Sequence, residues 1–579
     1  MKRTDFSVDW LFAACAPDTE LLPWNAQFTP VDLPHDWQIR HADDLYRDGT
    51  LFYRKYFFVT DVPGIRRMLW FGGAYMDTTV FVNGTEVGQW KYGYTSFWFD
   101  ITDALHEGQN EVLVRCNLRH PNSRWYSGAG LYRNVELWEA PDLHLMPDGL
   151  YVAAKEGDNG AWTVAVTAEA GSVTAASAGR TLTLHLTDDN GSLLGTAAIP
   201  ADAWAALPSP DGWRTGKETT IYKASHTFTL QDPALWDLDA PNFYHITAEL
   251  TGADGVTDTL TTRFGCRTIE ATPGCGLLVN HKRVLIRGVC IHHDFGCLGS
   301  AFEYSAAKRQ LEILKSMGVN SIRTGHTPPA PQFMDLADEM GILMDVESFD
   351  CWRRGKNPYD YGRFFDEWQE KDVAAWIRRD RNHPSLLFWC IGNEIYDTHA
   401  GSEGADTMRM LLAEVAAHDP ARNGIPTLGS NYMPWENTQH CADIIKVAGY
   451  NYGERLYASH HEKHPDWVIY GSETSSIVQS RGIYHFPLSQ SLLSDDDLQC
   501  SSLGNSRTSW GAESWDVCLQ SEQRWPFTLG QYLWAGWDYI GEPTPYHTRS
   551  SYFGTIDTAG FPKDAYYVVQ AAWLDPKTH

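Results

Sequence analysis

RNHPSLLFWCIGNE, residues 381–394, contains the apolar run 386–391, and Gly392-Asn393-Glu394 follows this run at once. The run is too short for a helix and has the length of a strand buried on both faces. In a (β/α)8 barrel the C-terminal tips of such strands carry the chemistry, because the βα loops open to solvent there. Glu394 is therefore the first candidate for a catalytic acid.

The chain after residue 273 repeats this pattern. Strand-like runs are predicted at 284–289, 319–323, 342–346, 386–391, 444–449, 468–471 and 532–535, with amphipathic helices at 304–317 and 332–340. Repeated βα units indicate a parallel sheet, and about eight of them favour a closed (β/α)8 TIM barrel over an open sheet. No G-x-G-x-x-G opens any unit, which disfavours a dinucleotide-binding fold.

Two β-rich regions precede the barrel. Residues 51–137 show short alternating segments, and Asn83-Gly84 lies between two of them as a hairpin turn signal, so we predict a jelly-roll sandwich. Residues 141–269 alternate in the same way and predict an immunoglobulin-like β-sandwich. The predicted domains are 1–140, 141–272 and 273–579. The Gly- and aromatic-rich loop 123–130 is either a packed corner or a ligand loop.

Composition excludes some partners. The 579 residues include 46 basic and 73 acidic side chains, a formal charge of -27 that would repel nucleic acid and anionic membranes. The eleven cysteines show no C-x-x-C spacing, which favours reduced thiols and a cytoplasmic location over disulfides. The first nine residues are polar and no run of eighteen apolar residues occurs, so neither export nor a membrane anchor is expected. The 24 Trp residues suit carbohydrate stacking or core packing.

Polar side chains follow the predicted strands at one rim of the barrel. They are His292, His293, Asp294, Arg323, Thr324, His326, Glu347, Asp350, Asn393, Glu394, Tyr452, Glu454, Glu473, Trp534, Trp537 and Asp538. Glycoside hydrolysis needs two carboxylates, one to protonate the leaving oxygen and one to attack the sugar or activate water. Glu394 and Glu473 form such a pair if strands four and seven face each other across the barrel. Glu347 fits the same rule.

Each of the two glutamates also has an interpretation without a catalytic role. Glu394 could be a structural carboxylate in an ion pair with Arg381 or Arg323, and Glu473 could be a capping carboxylate.

The candidate ligands have alternatives as well. His293 and His326 are zinc ligands or partners of sugar hydroxyls; the absence of H-x-H and H-E-x-x-H favours hydroxyls. Of Trp534 and Trp537, one is expected to fill the barrel, and Trp534 is predicted to lie under the sugar.

Five separated motifs resemble glycoside hydrolase family 2, the β-galactosidase and β-glucuronidase family, over essentially the whole chain. They are RNHPSLLFWCIGNE at 381–394, SIRTGHTP at 321–328, SRWYSGAGLYRNV at 123–135, RGVCIHHD at 287–294, and GEPTPY, YFGTID and GFPKDAYY within 539–567. The resemblance implies a jelly-roll, an immunoglobulin-like domain and a (β/α)8 barrel in this order.

The resemblance also implies roles for individual residues. Glu394 is similar to the family's general acid/base and Glu473 to its nucleophile, which together retain the anomeric configuration. Asn393 would hold the sugar 2-hydroxyl, and Tyr452 would contact the nucleophile. The residues that match the glycone pocket of the family are His293, Arg323, His326, Glu347 and Trp534.

Departures from the family pattern bear on the substrate. Family β-glucuronidases carry an Asn-x-Lys where this chain reads Asp557-Thr558-Ala559, which favours a neutral sugar. The ending is similar to that of the shorter β-galactosidases, so a β-galactosidase is expected, with Lys563 as an outer contact. Asn117 stands where many relatives have Asp. The magnesium-binding Glu-x-His after Glu347 is absent, so no metal and no cofactor is expected.

Other functions stay open on this basis. A β-glucuronidase, β-galacturonidase, β-fucosidase or β-mannosidase on the same scaffold is one alternative, and an inactive carbohydrate-binding relative is another. The chain is expected to end directly after the barrel, which leaves the aglycone side and assembly into a homo-oligomer open.

Overall fold

Two antiparallel sandwiches and a parallel barrel follow one another along the chain. The computed structural model describes residues 1–41, 43–60, 64–174, 177–208, 219–252, 255–484, 486, 492–493, 500–501, 512–542 and 550–574. Most of the GEPTPY motif, residues 543–546, lies outside the described residues. The architecture confirms the predicted fold class, while the domain limits of 1–140, 141–272 and 273–579 stay predictions.

The first sandwich consists of two antiparallel sheets that share one apolar core. In spatial order, the four-stranded sheet contains Lys2–Asp5, Val135–Pro141, Ile65–Phe71 and Phe97–Asp100, and the six-stranded sheet contains Thr29–Val31, Trp10–Cys15, Gly49–Val59, Gly108–Leu118, Thr78–Val82 and Thr85–Trp90. Asn83 and Gly84 both have positive φ, 50° and 79°, between the last two strands. The predicted hairpin turn is therefore confirmed, since both central residues of such a turn need that conformation.

The second sandwich has a separate core of alternating inward side chains. In spatial order, one sheet contains His144–Glu156, Ala161–Ser172, Thr220–Gln231 and Ala205–Pro208, and the other contains Leu193–Pro200, Thr181–Asp188, Tyr244–Gly252 and Gly255–Phe264. A small antiparallel sheet then leads into the barrel through Ile269–Thr272, Gly276–Val279 and Lys282–Val284.

Eight parallel strands close into a barrel. In order around it they are Ile286–Ile291, Ser321–Thr324, Leu343–Glu347, Leu386–Asn393, Ile425–Ser430, Val447–Asn451, Val468–Ser475 and Gly530–Trp534. The helices of the described chain are Tyr304–Ser316, Pro331–Met340, Phe365–Asp380, Tyr396–Ala400, Glu403–His418, Glu436–Ile445, Tyr457–Lys463, Trp515–Arg524 and Asp564–Trp573. Leu386–Asn393 is buried along its whole length, as its apolar sequence predicts.

The barrel also corrects three details of the sequence prediction. The fifth strand, Ile425–Ser430, was not predicted, because Pro426 and Gly429 interrupt its apolar run. The sixth strand begins at Val447 rather than 444, since residues 444 and 445 end the preceding helix and Lys446 adopts a left-handed conformation, φ 66°. The fourth and seventh strands are three positions apart around the barrel rather than directly opposite.

The first sandwich packs on the rim of the barrel where the strands end. The Thr95 hydroxyl donates to Asp372 at 2.8 Å, and Arg133 donates to the carbonyl of Pro328 at 3.0 Å. The backbone N–H of Tyr126 donates to the carbonyl of Ile540 at 3.2 Å. The Tyr126 contact holds the loop 123–130 against the barrel, and the other two hold neighbouring parts of the sandwich. Within the described residues, no helix is both long and apolar enough to cross a membrane.

Candidate active site

Glu394 and Glu473 both lie at the C-terminal rim, on the fourth and seventh strands. Glu473 belongs to Val468–Ser475 itself, and Glu394 directly follows Leu386–Asn393. The backbone of Glu394 is left-handed, φ 46°, and its N–H donates to the carbonyl of Gly429 at 2.9 Å. Such a conformation is uncommon outside glycine and is often found at functional sites. Both side chains are buried, with exposed fractions of 8% and 3%.

Arg323 is the buried centre of the site. Its guanidinium donates to Glu473 Oε1 at 2.8 Å and to Asn393 Oδ1 at 2.9 Å, and it also pairs with Glu347. The Arg323 side chain is fully buried in the barrel. One cation therefore orients the predicted nucleophile and the residue next to the predicted acid.

Glu347 contacts protein groups around this centre with both of its carboxylate oxygens. It pairs with Arg323, accepts from the Cys390 thiol at 3.1 Å, and lies 2.5 Å from His326 Nδ1. Asn393 Nδ2 donates to the other imidazole nitrogen, Nε2, at 3.3 Å, which assigns the proton of a neutral His326 to Nδ1. Both Glu347 oxygens are thus occupied by protein donors, which suits a positioning residue better than a nucleophile.

Two asparagines connect the carboxylates. The Asn451 amide donates to Asn393 Oδ1 at 3.0 Å and to Glu394 Oε1 at 3.1 Å. Its own oxygen accepts from the Ser472 hydroxyl at 2.6 Å. A continuous hydrogen-bonded path therefore runs from Glu473 through Arg323, Asn393 and Asn451 to Glu394, which brings the two carboxyl groups into one buried cluster.

The first sandwich contributes a cation to the site. Arg124 Nη1 donates to Glu394 Oε2 at 3.2 Å, and the same guanidinium forms a two-pronged pair with Asp350 at 2.8 and 3.2 Å. Lys356 Nζ contacts Asp350 at 2.7 Å and the carbonyl of Asn393 at 3.0 Å. The loop 123–130 is therefore part of the site. Glu394 has an ion pair, as the structural alternative required, but with Arg124 rather than with Arg381 or Arg323.

Burial raises the pKa values of the inner carboxyls. It raises the pKa of Glu473 to about 7; Arg323 opposes this rise and the charge of Glu394 adds to it. Burial likewise raises the pKa of Glu347 to about 8, again against the effect of Arg323. Burial and then Arg323 lower the pKa of His326 well below its ordinary value, so its imidazole is neutral. Such shifts, produced by burial and a specific partner in a cleft, are typical of active sites.

Aromatic rings pack against the side chains of the site. Trp534 stacks on His326 with ring centroids 5.4 Å apart and planes inclined by 4°. The backbone N–H of Tyr452 donates to the carbonyl of Glu473 at 2.7 Å, and its phenol hydrogen-bonds the Glu473 carboxyl. Trp125 stacks on His292 at 5.4 Å, so the first sandwich also supplies a ring.

Three predicted site residues lie apart from this cluster. His293 Nε2 is 3.1 Å from the carbonyl of Ser127, and its ring contacts Tyr94, so it faces the first sandwich. Asn117 donates to Asp18 at 3.1 Å on the first sandwich. Lys563 is buried and donates to Asp538 at 2.6 Å and to the carbonyl of Gln479 at 2.7 Å.

In the described part of the chain, a set of three potential metal ligands occurs away from the carboxylate pair. It consists of Asp335, Asp338 and His383. The Arg263 guanidinium donates to Asp338 Oδ2 at 3.2 Å, and His383 Nδ1 lies 2.7 Å from the same oxygen. Burial lowers the pKa of His383, but Asp338 outweighs this and raises it to about 9. Two cations already neutralise Asp338, so the set is poorly suited to hold a metal ion.

Several residues of this cluster were given no role from the sequence. His292 and Asp350 were named among the polar side chains at the rim, but only their neighbours were chosen as site residues. Arg124 is 270 positions from Glu394 and belongs to the first sandwich rather than to the barrel, so no local pattern connects the two. The signal that was present is the unusual composition of the loop 123–130. Asn451 and Lys356 had no signal beyond their nearness to predicted strand ends.

The comparison with known proteins agrees with this geometry. Residues 273–461 match the description "Glycosyl hydrolases family 2, TIM barrel domain", and residues 148–267 match "Glycosyl hydrolases family 2". A protein of Bacteroides ovatus named "Beta-galactosidase BoGH2A" is 34% identical over 635 residues, covering 99% of this chain and 72% of that protein. The chain belongs to glycosyl hydrolase family 2. It is a glycoside hydrolase, and saccharides are its class of substrate.

Other relatives of the family differ in their names. A "Putative beta-glucuronidase" of Formosa agariphila is 29% identical over 610 residues, and the chain spans 56% of the length of that protein. The solved structure of a family 2 member from Bacteroides cellulosilyticus superposes with a TM-score of 0.84 at 27% identity, covering 99% of this chain and 71% of that one. Family membership is thus shared by enzymes named for different sugars.

Proposed function

We propose that this family 2 hydrolase is a retaining, exo-acting β-galactosidase that releases terminal galactose by double displacement. The observation that carries the proposal is the buried hydrogen-bonded path that joins Glu473, Arg323, Asn393, Asn451 and Glu394 at one rim of the barrel. Retaining glycosidases need two carboxyl groups about 5 to 5.5 Å apart on either side of the scissile bond.

In the first step Glu473 attacks the anomeric carbon as a carboxylate while Glu394 gives its proton to the departing oxygen. Arg323 and Tyr452 orient Glu473 for this attack. In the second step Glu394 takes a proton from water, and the resulting hydroxide displaces Glu473, so two inversions give net retention. Asn393, whose amide lies between His326 and Asp350, would contact the sugar 2-hydroxyl, a contact that strengthens in the transition state.

The charges around the pocket support a neutral sugar. Arg124 and Lys356 are the cations near Glu394, and both are already paired with Asp350. Among the described residues, the two cations beside Glu394 thus already share Asp350 as a carboxylate partner, which supports a neutral sugar rather than a uronate. At the position of the missing Asn-x-Lys, Asp557 pairs with Arg481 at 2.6 Å instead.

A β-glucuronidase is the second candidate, because several relatives carry that name. A panel of 4-nitrophenyl β-glycosides separates the candidates: galactoside, glucuronide, galacturonide, fucoside and mannoside, at equal concentration. We expect the galactoside to have the highest kcat/KM. Turnover of the glucuronide without the galactoside would refute the galactosidase proposal, and no product at high enzyme concentration would favour an inactive binding protein.

The anomer of the first product tests retention separately. Proton NMR during the first minutes of hydrolysis should show the β-sugar before mutarotation, and an initial α-sugar would exclude the double displacement. We also propose a cytoplasmic location, because all eleven cysteines are free and most are buried. Assembly into a homo-oligomer stays a prediction.

A further inference from the structure

An exposed group of aromatic rings lies on the outer side of Glu394. We name it the aromatic shelf, and it consists of Tyr396, His399, Tyr432 and Trp435. The His399 ring is 4.0 Å from that of Tyr432 and 5.7 Å from that of Trp435, and the Tyr396 ring is 6.2 Å from that of Tyr432. Trp435 is 57% exposed and Tyr396 is 38% exposed. These rings therefore present a solvent-facing aromatic surface rather than core.

The shelf is attached to the acid/base by short chain segments. Tyr396 follows Glu394 by two residues, and Tyr432 follows Gly429, whose carbonyl accepts the Glu394 N–H, by three. The Tyr432 phenol lies within electrostatic reach of the site: burial raises its pKa to about 12, Glu394 adds to the rise and Arg124 opposes it. The segments that carry the shelf therefore adjoin Glu394.

The two segments that carry the shelf are fixed to each other. Asn437 donates to the carbonyl of His399 at 3.3 Å, and the hydroxyls of Thr398 and Thr438 lie 3.4 Å apart. The backbone N–H of Trp435 donates to the carbonyl of Tyr432 at 2.9 Å. Burial lowers the pKa of His399, so this ring is uncharged near neutral pH. The shelf is thus a preformed, uncharged platform.

The direction of the chemistry decides which part of a substrate meets this platform. Glu394 donates its proton to the glycosidic oxygen, so the leaving group must begin next to Glu394 and extend away from Glu473. We assign the buried residues around Arg323, which contact Glu473, to the sugar that is transferred. The exposed rings are carried by segments that adjoin Glu394 rather than Glu473, so we assign them to the leaving group.

We propose that the aromatic shelf is the binding site for a second sugar ring, the unit that leaves when the glycosidic bond breaks. This inference rests on the proposed glycosidase function. A sugar has an apolar C–H face and a hydroxylated edge, and tyrosine and tryptophan combine an apolar face with a polar edge in the same way. The natural substrate is then an oligosaccharide rather than a glycoside of a small alcohol.

The test compares substrates that share the preferred glycone and differ in the leaving group: a disaccharide, an aryl glycoside and the methyl glycoside. For Trp435→Ala the ratio of kcat/KM for the disaccharide to that for the methyl glycoside should fall about 2- to 10-fold, the range of one aromatic stacking contact. Trp435→Phe should restore most of the ratio. Trp24→Ala removes a tryptophan that is 97% exposed on the first sandwich and should leave the ratio unchanged.

The outcomes separate the inference from the proposed function. An unchanged ratio in Trp435→Ala and Tyr396→Ala would overturn the shelf as a sugar site, and a loss confined to the aryl glycoside would assign it to aromatic leaving groups instead. Hydrolysis of none of the glycosides by the unmodified enzyme would refute the proposed function alone. Calorimetry would then show whether the shelf binds sugar. An oligosaccharide is titrated into Glu473→Gln and into the double variant Glu473→Gln with Trp435→Ala. Weaker binding by the double variant is expected, and equal binding by the two would contradict the inference.

Discussion

Replacing Arg323 by methionine removes the cation that holds Glu473 in its reactive, ionised form. Arg323 Nη1 lies 2.8 Å from Glu473 Oε1. At an effective dielectric constant of about 20, a pair at this distance is worth about 6 kcal/mol, or roughly four pKa units. Arg323 also pairs with Glu347 and lies near Asp345, so only part of this acts on Glu473.

We therefore expect the pKa of Glu473, already raised by burial to about 7, to rise by about two units or more in Arg323→Met. At pH 7 a rise of two units reduces the ionised fraction of Glu473 from about one half to about one hundredth. The sign follows from the chemistry, because only the carboxylate attacks. Activity should fall about 50-fold at pH 7, and the acid limb of the pH profile should move to higher pH.

The assay is kcat/KM for the preferred nitrophenyl glycoside at half-unit intervals of pH, together with the thermal unfolding midpoint. Arg323→Lys is the matched control, since it keeps the charge without the planar fork, and its acid limb should lie between those of the other two proteins. Removing one partner of a buried ion pair also costs about 3–5 kcal/mol of stability, so both variants need a folding check. A folded Arg323→Met enzyme with an unmoved acid limb would refute this role of Arg323.

Three further predictions concern the same pocket. In the unmodified enzyme, kcat/KM should fall tenfold per pH unit below about 7 as Glu473 protonates, and a profile flat down to pH 5 would contradict the raised pKa. Glu394→Ala should reduce kcat/KM about 10²- to 10⁴-fold for an alkyl glycoside and much less for a dinitrophenyl glycoside, whose leaving group needs no proton; equal losses would argue against the acid role. Arg124→Met should lower kcat/KM about 10- to 100-fold, the range for a hydrogen bond to a charged group. Arg115→Met removes an arginine that donates to the carbonyl of Glu20 at 2.7 Å and to the Thr79 hydroxyl at 3.1 Å, and it should keep full activity. Equal effects of the two changes would show that Arg124 acts only on the sandwich.

Local patterns in the sequence were sufficient for much of the fold. The alternation of residues 51–137 and the uniform apolar run 386–391 indicate strands with one and two buried faces, and both features appear in the structure. Ile425–Ser430 was missed because a strand in a closed barrel can accept Pro426 and Gly429 when neighbouring strands pair with both of its edges. Its burial depends on contacts from the rest of the barrel rather than on its own residues.

The sequence predicted less of the candidate site than of the fold, because several site residues meet only through contacts between distant parts of the chain. Glu394, Asn393 and Glu473 stand at strand ends, where the topology alone brings them to one rim. Arg124 belongs to the first sandwich, and its position in the site could be known only from the packing of that sandwich on the barrel. His292 and His293 are adjacent in sequence, and side-chain direction decides between them: His292 lies beside Trp534, whereas His293 points to Ser127. Lys563 was predicted to be an outer contact, but it is buried against Asp538.

The most direct test of the account is chemical rescue of Glu473→Gly. Removing the carboxylate should abolish hydrolysis of an activated β-glycoside, and azide, which fits the space left by the side chain, should restore turnover. The account predicts an α-glycosyl azide, the product of a single inversion in which Glu394 no longer needs to activate water. Retained activity without azide, or a β-glycosyl azide as the product, would show that Glu473 is not the nucleophile.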